Sequence, residues 1–240
     1  MQTKLDIAYG TNPVQLLDWY LPDEPNGTTI VWFHGGGIEA GSRKDGAGMA
    51  QQAAARGYGF VSVEYSMYPA ARWPEFILDA AQSVAWVMKN TEEKIIVTGQ
   101  SAGAYLTMML CLNHAYLQNA GADRSRITAF ISDSAQQTTH YNVLRERGTD
   151  SRAERIDEAA ALYWVGAQLL DKPLLLICYE NDMPCRVTQN KLTLESIRHF
   201  QPDAPVEICV LPGGHCAGSS KPDENGEYPY LRKLFGFVEG

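Results

Sequence analysis

Ile95-Ile96-Val97-Thr98-Gly99-Gln100-Ser101-Ala102-Gly103 is the stretch on which the reading of the whole chain turns. An apolar, strand-like run stops at a Gly-x-Ser-x-Gly turn, and Ala104-Tyr105-Leu106-Thr107-Met108-Met109-Leu110 restarts as a helix. Strand, tight turn and helix in that order make a nucleophile elbow, a context the five-residue pattern lacks when it occurs alone. The turn demands glycine at both flanks. A serine at the apex is held in a strained backbone conformation, and side chains at Gly99 and Gly103 would collide with the neighbouring strand and helix. Ser101 also opens the helix, so the amide of Ala102 points outward beside it as a hydrogen-bond donor.

Working outward, the chain alternates strands with helices. Leu5–Ala8 and Val14–Tyr20 read as an antiparallel hairpin at a sheet edge. Thr28–Phe33 is a buried strand that ends in His34-Gly35-Gly36-Gly37, three glycines whose amides a substrate can approach closely. A helix is expected over Gly46–Arg56, a strand over Gly59–Tyr65, and a helix over Glu75–Lys89 with one broad apolar face. After the elbow come strands at Ile127–Ile131, Lys172–Tyr179 and Val206–Leu211, with helices at Val187–Phe200 and Tyr230–Val238. This alternation predicts an α/β fold, a mostly parallel sheet covered by helices on both faces. Residues 136–171 contain no strand and follow a central one. They would overhang the carboxyl edge of the sheet as a small lid, with Leu162, Tyr163 and Trp164 as its apolar contacts.

Composition narrows the function. The 240 residues suit a single domain over 1–240, and 45% hydrophobic with 20% charged residues is ordinary for a globular enzyme. A net charge of −8 argues against nucleic acid or an anionic membrane as partner. No stretch approaches a membrane span, and Met1–Asp6 lacks an apolar run behind a basic start, so the expected compartment is the cytoplasm; a trimmed secreted chain would read the same. The five cysteines (Cys111, Cys178, Cys185, Cys209, Cys216) lack metal-ligand spacing and read as free thiols. A Cys185–Cys216 bridge would need a proximity that sequence does not display. The oligomeric state is not encoded legibly; a homodimer is compatible with the chain.

Ser101 is a poor nucleophile without an adjacent base. Of His34, His114, His140, His199 and His215, the last lies in a glycine-flanked loop, Pro212-Gly213-Gly214-His215-Cys216-Ala217-Gly218, just beyond the final strand. That loop can bend the ring over the elbow, whereas His34 reads as a support of its glycine loop and His114 and His199 as helix residues. The orienting acid belongs at the end of a late strand between serine and histidine. Asp182 fits, with Asp133 as the first replacement. The expected catalytic set is therefore Ser101, Asp182 and His215, with an oxyanion hole from the amides of Gly36, Gly37 and Ala102. This chemistry requires no cofactor and no metal, and the chain carries no ligand cluster for one.

These residues resemble the α/β-hydrolase superfamily, and within it the His-Gly-Gly-Gly esterase/lipase branch that includes small carbohydrate esterases. His34–Gly37, Gly99–Gly103 and the spacing of Tyr65, Pro69, Trp73-Pro74 and Asp79-Ala80 carry the likeness. Ser66, where relatives usually carry arginine, and Ala104, where a further glycine is frequent, depart from it. The resemblance implies a serine carboxylic-ester hydrolase that removes acetyl or feruloyl groups from a small-molecule or oligosaccharide ester. It also implies an open, shallow site, since the first strand begins almost at once. The neighbourhood of Glu180-Asn181-Asp182 also resembles arylformamidases, so an amide hydrolase is the alternative; a non-catalytic ligand-binding module is the third reading.

Overall fold

The computed structural model describes residues 1–240. In chain order the strands are β1 (Gln2–Ala8), β2 (Leu16–Leu21), β3 (Thr28–Phe33), β4 (Gly59–Val63), β5 (Lys94–Gln100), β6 (Ile127–Asp133), β7 (Leu174–Asn181) and β8 (Val206–Gly214). The helices are α1 (Ala47–Ala55), α2 (Glu75–Asn90), α3 (Ala102–Leu112), α4 (His114–Asn119), α5 (Tyr141–Glu146), α6 (Arg186–Phe200), α7 (Ala217–Ser220) and α8 (Pro229–Glu239). All eight strands join one sheet in the order β1-β2-β4-β3-β5-β6-β7-β8. The first two pairings, β1 with β2 and β2 with β4, are antiparallel; every other pairing is parallel.

Alternation along the central strands divides the core between the two faces. Val31 and Phe33 of β3, with Ile95 and Val97 of β5, pack with Phe76, Ile77, Leu106, Leu110, Leu194 and Ile197 of α2, α3 and α6. Their neighbours Ile30, Trp32 and Ile96 point the other way, onto Met49 and Ala53 of α1 and Tyr230, Leu234 and Phe235 of α8. A strand buried on both faces must be apolar throughout, which is why these runs show no polar alternation. The edge strand β1 is almost wholly exposed. No helix is long and apolar enough to cross a membrane.

Several boundaries differ from expectation for local reasons. β2 starts at Leu16 rather than Val14 because Asn12 turns the chain, its side chain accepting from Val14 N–H and its carbonyl from Gln15 N–H. Ahead of α1, Arg43–Gly46 forms a tight 3₁₀ turn closed by a Ser42–Asp45 capping box. β8 runs on to Gly214, tolerating Pro212 because it is an edge strand. α4, α5 and α7 are too short to show a helical period in sequence. Residues 136–171 contain α5 and a 3₁₀ turn, Ala161–Trp164, that lies against α3, with Trp164 packed on the core margin and Tyr163 exposed. The turn is tied down by Tyr105 Oη, which donates to Ala159 O at 2.8 Å.

Candidate active site

The sheet register delivers the site. Gln100 is the last residue of β5 and pairs with Asp133, so Ser101 emerges at the carboxyl edge, where its N–H donates to Asp133 O at 2.7 Å. Ser101 has φ +54° and ψ −111°, a conformation costly for a side-chain-bearing residue. The flanking glycines make it achievable. A Cβ on Gly99 would lie 2.4 Å from the Gly103 carbonyl, and one on Gly103 would lie 2.1 Å from Phe33 O.

On the far side, Asn181 of β7 pairs with Gly214 of β8, so the next residue on each strand, Asp182 and His215, leaves the sheet beside its counterpart. His215 Nδ1 lies 2.5 Å from Asp182 Oδ1, and its Nε2 lies 2.8 Å from Ser101 Oγ. The Asp182 side chain is 1% exposed and that of His215 26%. Burial alone would raise the Asp182 pKa. Hydrogen bonds from His215, from Ser134 Oγ at 2.7 Å and from Met183 N–H at 2.8 Å outweigh it and hold the carboxyl below its ordinary range. The structure thus brings Ser101, Asp182 and His215 into one hydrogen-bonded chain.

Asp133 lies nearby but plays a different part. It is fully buried at the end of β6 and accepts a hydrogen bond from Ser219 Oγ, and it makes no bond to His215. Burial pushes its pKa up to about 7; the Ser219 and Tyr179 hydroxyls lower it in part, and the Asp182 charge adds to the rise. Cys216, next to His215, is buried and unpaired, and Cys185 is exposed and unpaired, so no bridge joins them.

The glycine loop after β3 lies against the serine: a Cβ on Gly35 would sit 3.3 Å from Ser101 Cβ. Gly36 and Gly37 have φ +102° and +68°, which glycine alone adopts without strain. Their amides and that of Ala102 donate to no group in the protein. Side chains fix the loop from behind. The ring of His34 stacks on Tyr65 at 4.4 Å, with its Nδ1 2.7 Å from Gly35 O and its Nε2 3.1 Å from Glu64. Burial would raise the Glu64 pKa, but His34 and Arg43 hold it low. From the segment after β6, Asn142 Nδ2 donates to Gly37 O, and the Tyr141 hydroxyl occupies the space where a Gly37 side chain would lie.

Ser134, Glu64, Tyr141 and Asn142 were not apparent as site residues from sequence. Ser134 and Asn142 carry no local signal, because the groups they serve lie 48 and 105 residues away in the chain. No cluster of His, Cys, Asp and Glu side chains is arranged to hold a metal ion.

Comparison with known proteins adds the relationship. A family model described as BD-FAE matches residues 17–173. Esterase LipC of Mycobacterium tuberculosis is 34% identical over 113 residues, covering 43% of this chain and 28% of that protein. The matched segments span about a third of the length of the first curated relatives. An inhibitor-bound esterase B from Lactobacillus rhamnosis superposes with a TM-score of 0.79 at 18% identity, over 98% of this chain and 86% of that one. A truncated carbohydrate esterase from gut microbiota superposes with a TM-score of 0.75 at 17% identity, over 100% of this chain and 96% of that one.

Proposed function

This chain belongs to the BD-FAE family, and from that premise we propose that it is a serine carboxylic-ester hydrolase acting on short-chain or aromatic acyl esters, acetyl or feruloyl, of carbohydrates. One observation carries the reading: the Asp182–His215–Ser101 hydrogen-bonded chain ends beside three amides with no partner of their own.

In this mechanism His215 Nε2 takes the Ser101 hydroxyl proton as Oγ bonds to the ester carbon. The carbonyl oxygen becomes an oxyanion and accepts from the amides of Gly36, Gly37 and Ala102. Removing one such donor costs about 3–4 kcal/mol of transition-state stabilisation in comparable sites. The intermediate collapses, the ester C–O bond breaks, and His215 returns the proton to the departing alcohol. Water then attacks the acyl-serine, giving its proton to His215 and releasing the acid and free Ser101. Asp182 holds the Nδ1–H tautomer and stabilises the imidazolium throughout.

The carbohydrate-ester substrate class is supported by the partly exposed serine and by the resemblance to a carbohydrate esterase. The test is a hydrolysis panel: p-nitrophenyl acetate, butyrate and octanoate, methyl ferulate, acetylated xylo-oligosaccharide and N-formylkynurenine, each with wild type and Ser101→Ala. The expected result is turnover of acetyl or feruloyl esters, lost by about 10⁵-fold or more in the variant. Preference for N-formylkynurenine would favour the amide hydrolase. Turnover that survives Ser101→Ala, or none at all, would overturn the esterase reading.

A further inference from the structure

Arg186, the first residue of α6, is only 6% exposed and has no ion pair. Its Nε is sealed from solvent without a partner, Nη2 reaches only the Met183 sulfur at 3.8 Å, and Nη1 has no hydrogen bond in the protein. A guanidinium cannot shed its proton to escape this situation, and an unpaired buried charge is among the costliest features a fold can keep.

The carboxylates around it are committed elsewhere. Asp182 accepts from His215, Ser134, Met183 N–H and Tyr179 N–H, and Glu154 accepts from Thr138 and Gln189. The position of Arg186 is informative. Asn190 Nδ2 donates both to Arg186 O and to Ala135 O, and Gln189 accepts from Gln137 N–H, so the first turn of α6 is tied to the segment that leaves β6 at the carboxyl edge of the sheet. The Arg186 charge also acts on Asp182, Cys216 and Glu154 and on His140 and Tyr141. Tyr141 in turn touches Gly37 of the glycine loop. Arg186 therefore enters α6 on the same sheet edge as Ser101, Asp182 and His215.

We propose that Arg186 anchors a carboxylate on the substrate, so that the ester cleaved at Ser101 belongs to a molecule bearing a free carboxylic acid. This rests on the esterase reading and narrows its substrate class. A single planar fork matches one carboxylate in bidentate fashion. A phosphate dianion fits less well, since Asp182 and Glu154 already place negative charge around the one cation. The acid can stand on the acyl side, as in a dicarboxylic monoester, or on the alcohol side, as in an acylated acidic sugar.

The experiment compares matched pairs by pH-stat: monomethyl succinate with dimethyl succinate, and acetylated glucuronic acid with acetylated glucose. Wild type is expected to favour the anionic member of one pair by about tenfold or more in kcat/KM, and that pair identifies the side. In Arg186→Gln the anionic-to-neutral ratio should collapse to about one or below, mainly through KM. Arg186→Lys, which keeps charge without the fork, should fall between, at least threefold below wild type by a rough estimate. The lysine variant carries the test alone if the glutamine variant does not fold.

Equal or better turnover of both neutral partners by wild type, or an unchanged ratio in the variants, would overturn the proposal. A fluorophosphonate probe separates the two failures. Labelled Ser101 with neutral-ester turnover and no anion preference removes only the anchor. No labelling and no turnover of any ester removes the esterase reading beneath it.

Discussion

The two sides of Ser101 are built from different materials. On the side of β3 and β5 the elements that matter are backbone: the strained serine, the two glycines whose absent side chains let strand, elbow and helix touch, and the unpartnered amides of Gly36, Gly37 and Ala102. On the side of β6, β7 and β8 they are side chains: His215 on Asp182, Ser134 on Asp182, Ser219 on Asp133. Backbone donors are fixed once the fold forms and need no reorganisation during reaction, whereas a side-chain relay must hold a proton and pass it on. The difference divides the consequences of mutation. Damage on the first side should reach stability, and damage on the second should reach rate and pH dependence.

The sharpest contrast comes from Asp182→Asn. It keeps the shape of the relay but favours the wrong histidine tautomer, and kcat should fall by about 10⁴-fold, far out of proportion to the modest drop in thermal midpoint caused by turning an amide NH2 toward a backbone N–H that the carboxylate accepted. Stopped-assay kinetics with p-nitrophenyl acetate, paired with a melting curve, would check it. Gly103→Ala should do the reverse. Its Cβ would lie 2.1 Å from Phe33 O, so backbone must shift, and urea unfolding should show a loss of about 3 kcal/mol.

Asp133 gives the relay side its own pH signature. The folded chain holds this proton up to about pH 7, while an unfolded aspartate releases it near 4 (roughly). Across that window the folded state binds more protons, so this group's contribution to stability declines as pH rises through it. Asp133→Asn should flatten the decline by about 2 kcal/mol between pH 5 and pH 8, read from urea midpoints at the two values. Asn142→Ala tests whether side-chain support matters on the backbone side as well. Loss of its bond to Gly37 O should lower kcat about tenfold with little change in KM. A result as large as that of Asp182→Asn would mean that the glycine loop is not self-supporting.

The same division explains what could be read from the chain. Gly99, Gly103 and His34–Gly37 were legible because backbone geometry dictates residue type and the residues stand together in sequence. Asp182 and His215 were legible because each ends a recognisable strand; their pairing follows from the Asn181–Gly214 register. Ser134, Asn142 and Arg186 were not. A serine, an asparagine and an arginine carry no mark of the partner they meet or lack, and that partner is set by tertiary packing. The partial burial of Trp164 at the core margin and the exposure of Tyr163 beside it were hidden for a similar reason, since an apolar triplet in a connection fits a lid or a core margin equally well.

The central claim is that Ser101 is a nucleophile activated by His215 under the control of Asp182. Reaction with a fluorophosphonate probe, followed by peptide mapping and by the rate of labelling, tests it most directly. The account predicts one adduct, on the peptide that carries Ser101, absent in Ser101→Ala and formed at least about 10³-fold more slowly in Asp182→Asn. An adduct on another residue, or labelling of Ser101 at the wild-type rate without Asp182, would contradict it.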